Sequence, residues 1–323
     1  MSGTEMHNRT NSDILTEMEM LRKKAQTVKM LSWASLVLLP IFLISLFIFD
    51  FIFIFGFGLF FIIAVGLMGL YVGFLMWHSY LLTKYKSYTG SFKSIVVKEG
   101  LEKVFMNPIY EPDSGWPVNV IRGLGLFKEF NIYATNDLIK AKYKNVSFEQ
   151  ADIELIDEHK ETYVGHNGRI QTRTVRTLHF SGRMIKFNFD AAFPSDLRIV
   201  GRKFGGVTPS GWKSIETASV DFNKKFLSSA PNMPAALTIL KPQLIIKMLD
   251  FYEWFGQPFA FYFKGNNLFV FLPGDKTFEL LTDKDLESQR KIVLTDIGLL
   301  LRSLNVTVDI AKDFIDSSVM VKK

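Results

Sequence analysis

The sequence predicts an α+β protein in which an N-terminal two-helix transmembrane hairpin precedes a soluble domain with an antiparallel sheet and flanking helices. Two observations lead to this fold class. The stretch from Leu31 to Leu82 contains one acidic residue, Asp50, and neither lysine nor arginine, whereas the rest of the chain mixes apolar and charged residues. After about residue 130, segments rich in β-forming residues alternate with turn residues, and helical spacing of apolar residues returns towards the C-terminus.

The apolar stretch is long enough for two membrane spans. Leu31 to Phe49 contains no charge, and a helix of that length nearly crosses a hydrocarbon core of roughly 30 Å. A second span is expected at Phe53 to Trp77, within a longer uncharged run. Basic residues flank the pair on both sides while the connection holds only Asp50, so the positive-inside rule places both termini in the cytoplasm.

This interpretation divides the chain into three regions. Residues 1–30 are predicted to form a cytoplasmic amphipathic segment, and residues 31–82 the transmembrane hairpin. Residues 83–323 are expected to form a cytoplasmic α+β domain. A stretch rich in glycine and proline marks a candidate boundary between two subdomains near 201–220.

The first half of the α+β domain begins with helices and continues with strands. Apolar residues at helical spacing predict a helix over Lys84 to Phe105, and three prolines indicate a loop over Asn107 to Pro117. A short helix is expected at Val118 to Phe130. Residues rich in β-formers then predict strands at Leu138 to Tyr143, Val146 to Ile156, Thr172 to Phe180 and Met184 to Phe189, with a hairpin tip at 165–168.

The C-terminal part is expected to contain helices around one hairpin. Met233 to Leu240 and Pro242 to Phe255 read as helices, and strands at Phe259 to Phe263 and Leu268 to Leu272 flank a turn of glycine and asparagine. A last helix at Asp285 to Leu304 and a short strand at 306–310 complete the prediction.

Three glycines recur at three- and four-residue spacing in the second predicted span. Gly66, Gly69 and Gly73 would lie on one helix face, where small residues let two helix backbones approach closely. They could pack against the first span of the same chain, or form the seam of a homo-oligomer. Packing against the first span of the same chain is the favoured interpretation.

The net charge of +6 is concentrated in one stretch. Residues 165–203 include eight basic residues and only two acidic ones, Asp190 and Asp196. Such residues either form a solvated face of the sheet or contact a protein partner or anionic lipid headgroups. Nucleic acid is not expected, since the chain has no recognisable nucleic-acid-binding module. The eight are Arg169, Arg173, Arg176, Arg183, Lys186, Arg198, Arg202 and Lys203.

The sequence contains no recognisable catalytic, cofactor or metal site. Without cysteine, disulfides and cysteine-ligated metals are excluded. His159 and His166 lie among acidic residues, but their spacing fits no zinc pattern. The glycine-rich stretch 201–206 lacks the Lys-Ser/Thr ending of a phosphate-binding loop. Catalytic residues are therefore unknown, and neither cofactor nor metal is predicted.

Several short motifs follow one another in a fixed order along the chain: Tyr88 to Lys93, Tyr110 to Pro112, Asn136-Asp137, Phe148 to Asp152, Phe180 to Arg183, Phe222 to Phe226, Leu240 to Leu244, Asn267 to Val270 and Phe278-Glu279. Together they resemble the bacterial family DUF3137, whose function is unknown. The resemblance covers about residues 84–310, and it implies a bacterial inner-membrane or plasma-membrane protein. It supplies no activity, cofactor or catalytic residue.

These observations favour a membrane-anchored cytoplasmic module that binds or scaffolds an unidentified protein partner and touches anionic lipid. Two alternatives remain open. One is an accessory subunit of a membrane transporter or envelope complex, which would associate through the glycine face. The other is an enzyme whose site has no familiar motif.

Overall fold

The computed structural model describes residues 16, 19–34, 37, 44, 57–164, 169–279 and 285–321. The described residues fall into two compact units. One lies within residues 1–96 and 280–291, and the other within 97–279 and 292–323.

The first unit is helical. Helix α1 covers residues 19–34, and helix α2, Phe57–Glu102, starts in this unit and continues into the second. An ion pair of 2.6 Å joins Arg22 to Glu19 within α1. The Ser32 hydroxyl lies 3.5 Å from the His78 Nδ1 atom, so α1 and α2 approach each other at these residues.

Across the described residues, no helix is both long enough and apolar enough to cross a membrane. This finding contradicts the predicted transmembrane hairpin at 31–82 and, with it, the predicted multi-pass location with two cytoplasmic termini. A span needs about 20 consecutive apolar residues in one helix. Of the first predicted span, only residues 31–34, 37 and 44 are described, and α2 carries lysines at 84, 86, 93 and 98 beyond the second.

The second unit is built on a nine-stranded antiparallel sheet, in agreement with the predicted α+β class. The strand order is β1-β2-β3-β4-β9-β8-β5-β7-β6. The strands are β1 (Ile109–Glu111), β2 (Ile132–Tyr143), β3 (Val146–Val164), β4 (Ile170–Asn188), β5 (Leu197–Gly201), β6 (Lys213–Ile215), β7 (Phe226–Ala230), β8 (Ala260–Lys264) and β9 (Asn267–Pro273).

Five helices follow α2 in the part of the chain that the structure describes. They are α3 (Val118–Leu124), α4 (Val220–Lys225), α5 (Met233–Leu237), α6 (Pro242–Phe255) and α7 (Leu286–Val321). The strand expected at 306–310 is instead part of α7. Leu304, Val308 and Ala311 are all buried at helical spacing, so packing of one helix face outweighs the β-propensity of the valines.

The sheet buries apolar side chains on both faces. Ala151, Ile153 and Leu155 point to one face, where they form a core with Ile121 and Leu124 of α3. On the other face, the Phe148 ring packs edge-on against Phe105 at 5.5 Å. Alternation along β3 therefore assigns its residues to two different cores.

Candidate interaction site

The β3–β4 hairpin extends beyond the rest of the sheet. Among the described residues, β2 pairs with β3 only as far as Ile156, and β9 pairs with β4 only from Gly182 onwards. Between these limits, residues 157–164 pair with 170–177. Residues 157–164 and 169–178 are called the β-arm here. The predicted hairpin tip at 165–168 lies outside the described residues, between the two strands of the arm.

Along the outer edge of β3, the last contact with the rest of the sheet is made by Asn131. The Asn131 side chain donates to the Glu158 carbonyl oxygen at 2.6 Å and accepts from the Glu158 amide at 2.9 Å. The Glu158 amide and carbonyl therefore point away from β4, towards the outer edge of β3. Because backbone direction alternates along a strand and the register has no shift here, Lys160, Thr162 and Val164 face the same edge.

Charged side chains on the arm are largely paired with one another. Arg176 lies 2.9 Å from Glu158, and Arg173 lies 2.9 Å from Glu161. The His159 ring stands between Glu161 at 3.3 Å and Asp157 at 3.1 Å. Hydrogen bonds to Glu161 and Asp157 raise the pKa of His159, because they favour its charged form. The positive charge of the arm is thus mostly balanced locally.

Apolar side chains are also exposed along the arm. Val164 and Ile170 are direct cross-strand partners at its far end, and they are 70% and 76% exposed. Tyr163 and Leu178 are exposed as well. Isolated apolar residues are common on protein surfaces, but a directly paired set on a projecting hairpin is the type of feature found at contact sites.

The structure separates the eight basic residues of the predicted contact surface. Three lie on the arm, two are half-buried further along β4, one is buried in β5, and two are exposed just after β5. In that order, these residues are Arg169, Arg173 and Arg176; Arg183 and Lys186; Arg198; Arg202 and Lys203.

Arg198 belongs to the interior, with 2% of its surface exposed. Its guanidinium lies 4.8 Å from the Trp212 ring centre and 4.6 Å from that of Tyr262. It donates to the carbonyl oxygens of Leu124 at 2.5 Å and Val207 at 2.7 Å. Cation–π contacts and two carbonyl acceptors hold this charge inside the fold, so its role is structural. Sequence spacing gives no sign of this environment.

The three glycines of the predicted helix face have no close neighbours among the described residues. A Cβ atom built on Gly66, Gly69 or Gly73 would find no described atom within 4 Å. Packing within one chain and packing between chains both stay predictions.

A buried polar cluster lies where β1, β2 and β3 meet the segment after β9. Several of its residues belong to the short motifs named above, but the sequence does not predict that they come together. Asp137 and Asp152 are 0% and 2% exposed. The Tyr110 hydroxyl donates to Asp137 at 2.5 Å. Asp152 accepts from the Thr277 amide at 2.5 Å and from its hydroxyl at 2.8 Å. Burial raises the pKa of Asp152 to about 6, while the Thr277 bonds partly oppose that rise.

The cluster also contains opposite charge. Burial lowers the pKa of Arg183, and the nearby carboxylates Asp152 and Asp296 act in the opposite direction. Asp296 in turn accepts from the Phe278 amide at 2.8 Å. Because Asp137 and Asp152 are both closed off from solvent, a substrate cannot reach them in this conformation. The cluster therefore ties the segment after β9 to the sheet and α7.

One sequence signal for this cluster exists in retrospect. Asn136-Asp137 interrupts a run of β-formers, and the β2–β3 register shifts between Asn136 and Ile139. Asp137 adopts a φ of 61°, a conformation that aspartate and asparagine tolerate better than most residues. An Asn-Asp pair inside a strand therefore indicates a bulge that turns a polar side chain into the protein.

Residues 178–315 match the family model described as "Protein of unknown function (DUF3137)". The family resemblance is confirmed for this DUF3137 region, which begins in β4 and ends in α7. All of the β-arm except Leu178 precedes it. No curated protein matches the chain.

A solved structure with some similarity is the crystal structure of the mycobacterial trehalose monomycolate transport factor A, TtfA. The similarity covers 67% of this chain and 94% of that chain, with 8% sequence identity and a TM-score of 0.33. At this TM-score the likeness supports no argument about function.

Proposed function

We propose that the chain is a protein-interaction module and that the β-arm is the surface that contacts its partner. One observation carries this proposal: eight consecutive residue pairs of the β3–β4 hairpin extend past the strands that flank them. An isolated two-stranded ribbon is at best marginally stable in water. A long exposed arm therefore adds little to the stability of the sheet, and a binding role explains its length better.

The charge of the arm favours protein over anionic lipid as the partner. Its described residues include four basic and three acidic side chains, with His159 in addition. Arg173 and Arg176 already pair with acidic residues of the opposite strand. Binding to an anionic surface gains roughly 1 kcal/mol per basic residue near it, and acidic neighbours reduce that gain. A mixed, partly apolar surface is better suited to another polypeptide.

The experiment that tests this proposal is affinity purification of the tagged full-length chain from cells that naturally contain it, followed by mass spectrometry. A shortened-arm variant lacks residues 159–162 and 172–175. These are four mutually paired positions, so the deletion retains the register of the remaining hairpin. The expected result is that proteins captured by the unaltered chain are lost from the shortened variant.

The matched control is Arg202→Ala combined with Lys203→Ala, which removes exposed basic residues outside the arm. This variant should retain the partner. If the control loses the partner while the shortened arm keeps it, the contact surface is the loop after β5 and the proposal is wrong. Equal capture by all three proteins would equally contradict a role for the arm. Vesicles with and without anionic lipid, tested in parallel, show whether lipid replaces protein as the arm-dependent partner.

A further inference from the structure

The outer edge of β3 within the arm presents backbone groups for pairing. We propose that this edge binds an extended segment of the partner protein by antiparallel strand addition. The inference rests on the proposed function and specifies the partner's chemistry.

The Asn131 contact shows that this edge has the geometry of a strand ladder. Its side-chain amide supplies one donor and one acceptor to Glu158, as the backbone of a neighbouring strand would. Beyond Glu158, the backbone amides and carbonyls of Lys160, Thr162 and Val164 also point away from β4, towards this outer edge. Proteins usually shorten or cover such edges. Here the edge continues for several residues, so an added strand would extend the ladder that Asn131 ends.

The side chains along this edge select the sequence of the added strand. Lys160 and Val164 are exposed, and each would lie directly opposite one residue of the incoming segment. An acidic residue would complement Lys160, a β-branched residue would suit Thr162, and an apolar residue would cover Val164. Because the pairing is antiparallel, the segment reads apolar, any, β-branched, any, acidic from its N-terminus. Lys160 also opposes pairing with basic strands, which adds selectivity.

The test uses the full-length chain and a fluorescently labelled, end-capped peptide with valine, threonine and glutamate at those three positions and serine between them. Fluorescence anisotropy measures binding. Thr162→Pro removes the central outward amide but no bond between β3 and β4, since proline is tolerated at an outward edge position. Thr172→Pro makes the same change directly across the arm, on the outer edge of β4. The expected result is a loss of about tenfold in affinity for Thr162→Pro and less than about twofold for Thr172→Pro.

A charge exchange gives an independent readout. Lys160→Glu should weaken binding of the glutamate peptide, and a peptide with lysine in place of glutamate should recover binding to this variant. Hydrogen exchange of the Glu161 and Arg173 amides, which join the two arm strands, verifies that each variant keeps a paired arm.

Each result distinguishes the two proposals. Equal weakening by both proline variants, or no measurable binding of the peptide by the unaltered chain, would overturn strand addition at this edge. If capture of a partner by the full-length chain still depends on the arm, the proposed function stands without the strand-addition mechanism. If capture does not depend on the arm, both proposals are wrong.

Discussion

Replacing Asp152 by asparagine should remove a pH dependence from the stability of the fold. The Asp152 carboxyl is 2% exposed, and it accepts two hydrogen bonds from Thr277. Asparagine can accept the same two bonds through its Oδ1 atom but cannot ionise at any pH. The substitution therefore isolates the free-energy cost of holding a charge at this position.

The expected magnitude follows from the pKa of Asp152, which burial raises from 3.8 to about 6. A raised carboxyl pKa means that the folded state holds the proton more tightly than the unfolded state. Its stabilising contribution is fully present below pH 3.8 and is lost as pH rises through 6. A shift of about two pKa units corresponds to about 3 kcal/mol. The unaltered protein should lose up to that amount, relative to Asp152→Asn, between about pH 4 and pH 7.

The assay is chemical denaturation of both proteins at several pH values across this range, followed by circular dichroism. The difference in free energy of unfolding between the two proteins is compared across pH, because groups other than Asp152 then cancel. Asp190→Asn is the matched control, since it makes the same chemical change at an exposed position.

A constant difference between the unaltered protein and Asp152→Asn across the whole range would refute this reasoning. A difference that grows in favour of the unaltered protein as pH rises would also refute it, because that sign requires a lowered pKa. The first result would mean that the bonds from Thr277 and the charge of Arg183 balance desolvation at Asp152, and the second that they outweigh it.

Three further predictions concern individual contacts. Arg198→Met leaves the carbonyl oxygens of Leu124 and Val207 without their guanidinium donor, the first of them buried. It should lower the free energy of unfolding by about 3 kcal/mol in urea titration; a loss below about 1 kcal/mol would contradict the structural role. Gly182→Ala places a Cβ against the β9 backbone at a φ of 150°, and it should lower the free energy of unfolding by roughly 2–4 kcal/mol. Gly123→Ala, in an open helical position, should be neutral or slightly stabilising. Equal effects of the two substitutions would show that Gly182 is not constrained. Asn131→Ala should speed hydrogen exchange of the Glu158 amide about tenfold, and unchanged exchange would mean that the asparagine does not end the ladder.

Elements with local signals were predictable from the sequence. Helix α6 spans Pro242–Phe255 as predicted, because proline suits the first helical turn and Gly256 ends the helix in a left-handed conformation. The β8–β9 hairpin also agrees closely, since Gly265 adopts the positive φ that its turn requires. Each of these features depends on only a few neighbouring residues.

The sequence-based predictions for two segments are wrong. The apolar content of 31–82 predicted a transmembrane hairpin, which the described helices contradict. The β-branched residues at 306–310 predicted a strand, but they continue α7. At 306–310 the composition of a short window predicts a strand, whereas the burial of one face of α7 decides the structure.

The sequence by itself determined the α+β class, the main hairpins and the absence of cysteine chemistry. Only the tertiary structure decided that β9 pairs with β4, that Arg198 is buried, and that the arm projects past β2 and β9. The physical reason is the distance along the sequence over which the deciding interactions act. Turn geometry and periodicity act within a few residues, whereas Phe187 and Leu268 become neighbours only because the whole sheet and both of its cores form together. The surroundings of a charged side chain are fixed at that same stage, so eight basic residues close in sequence reach different environments.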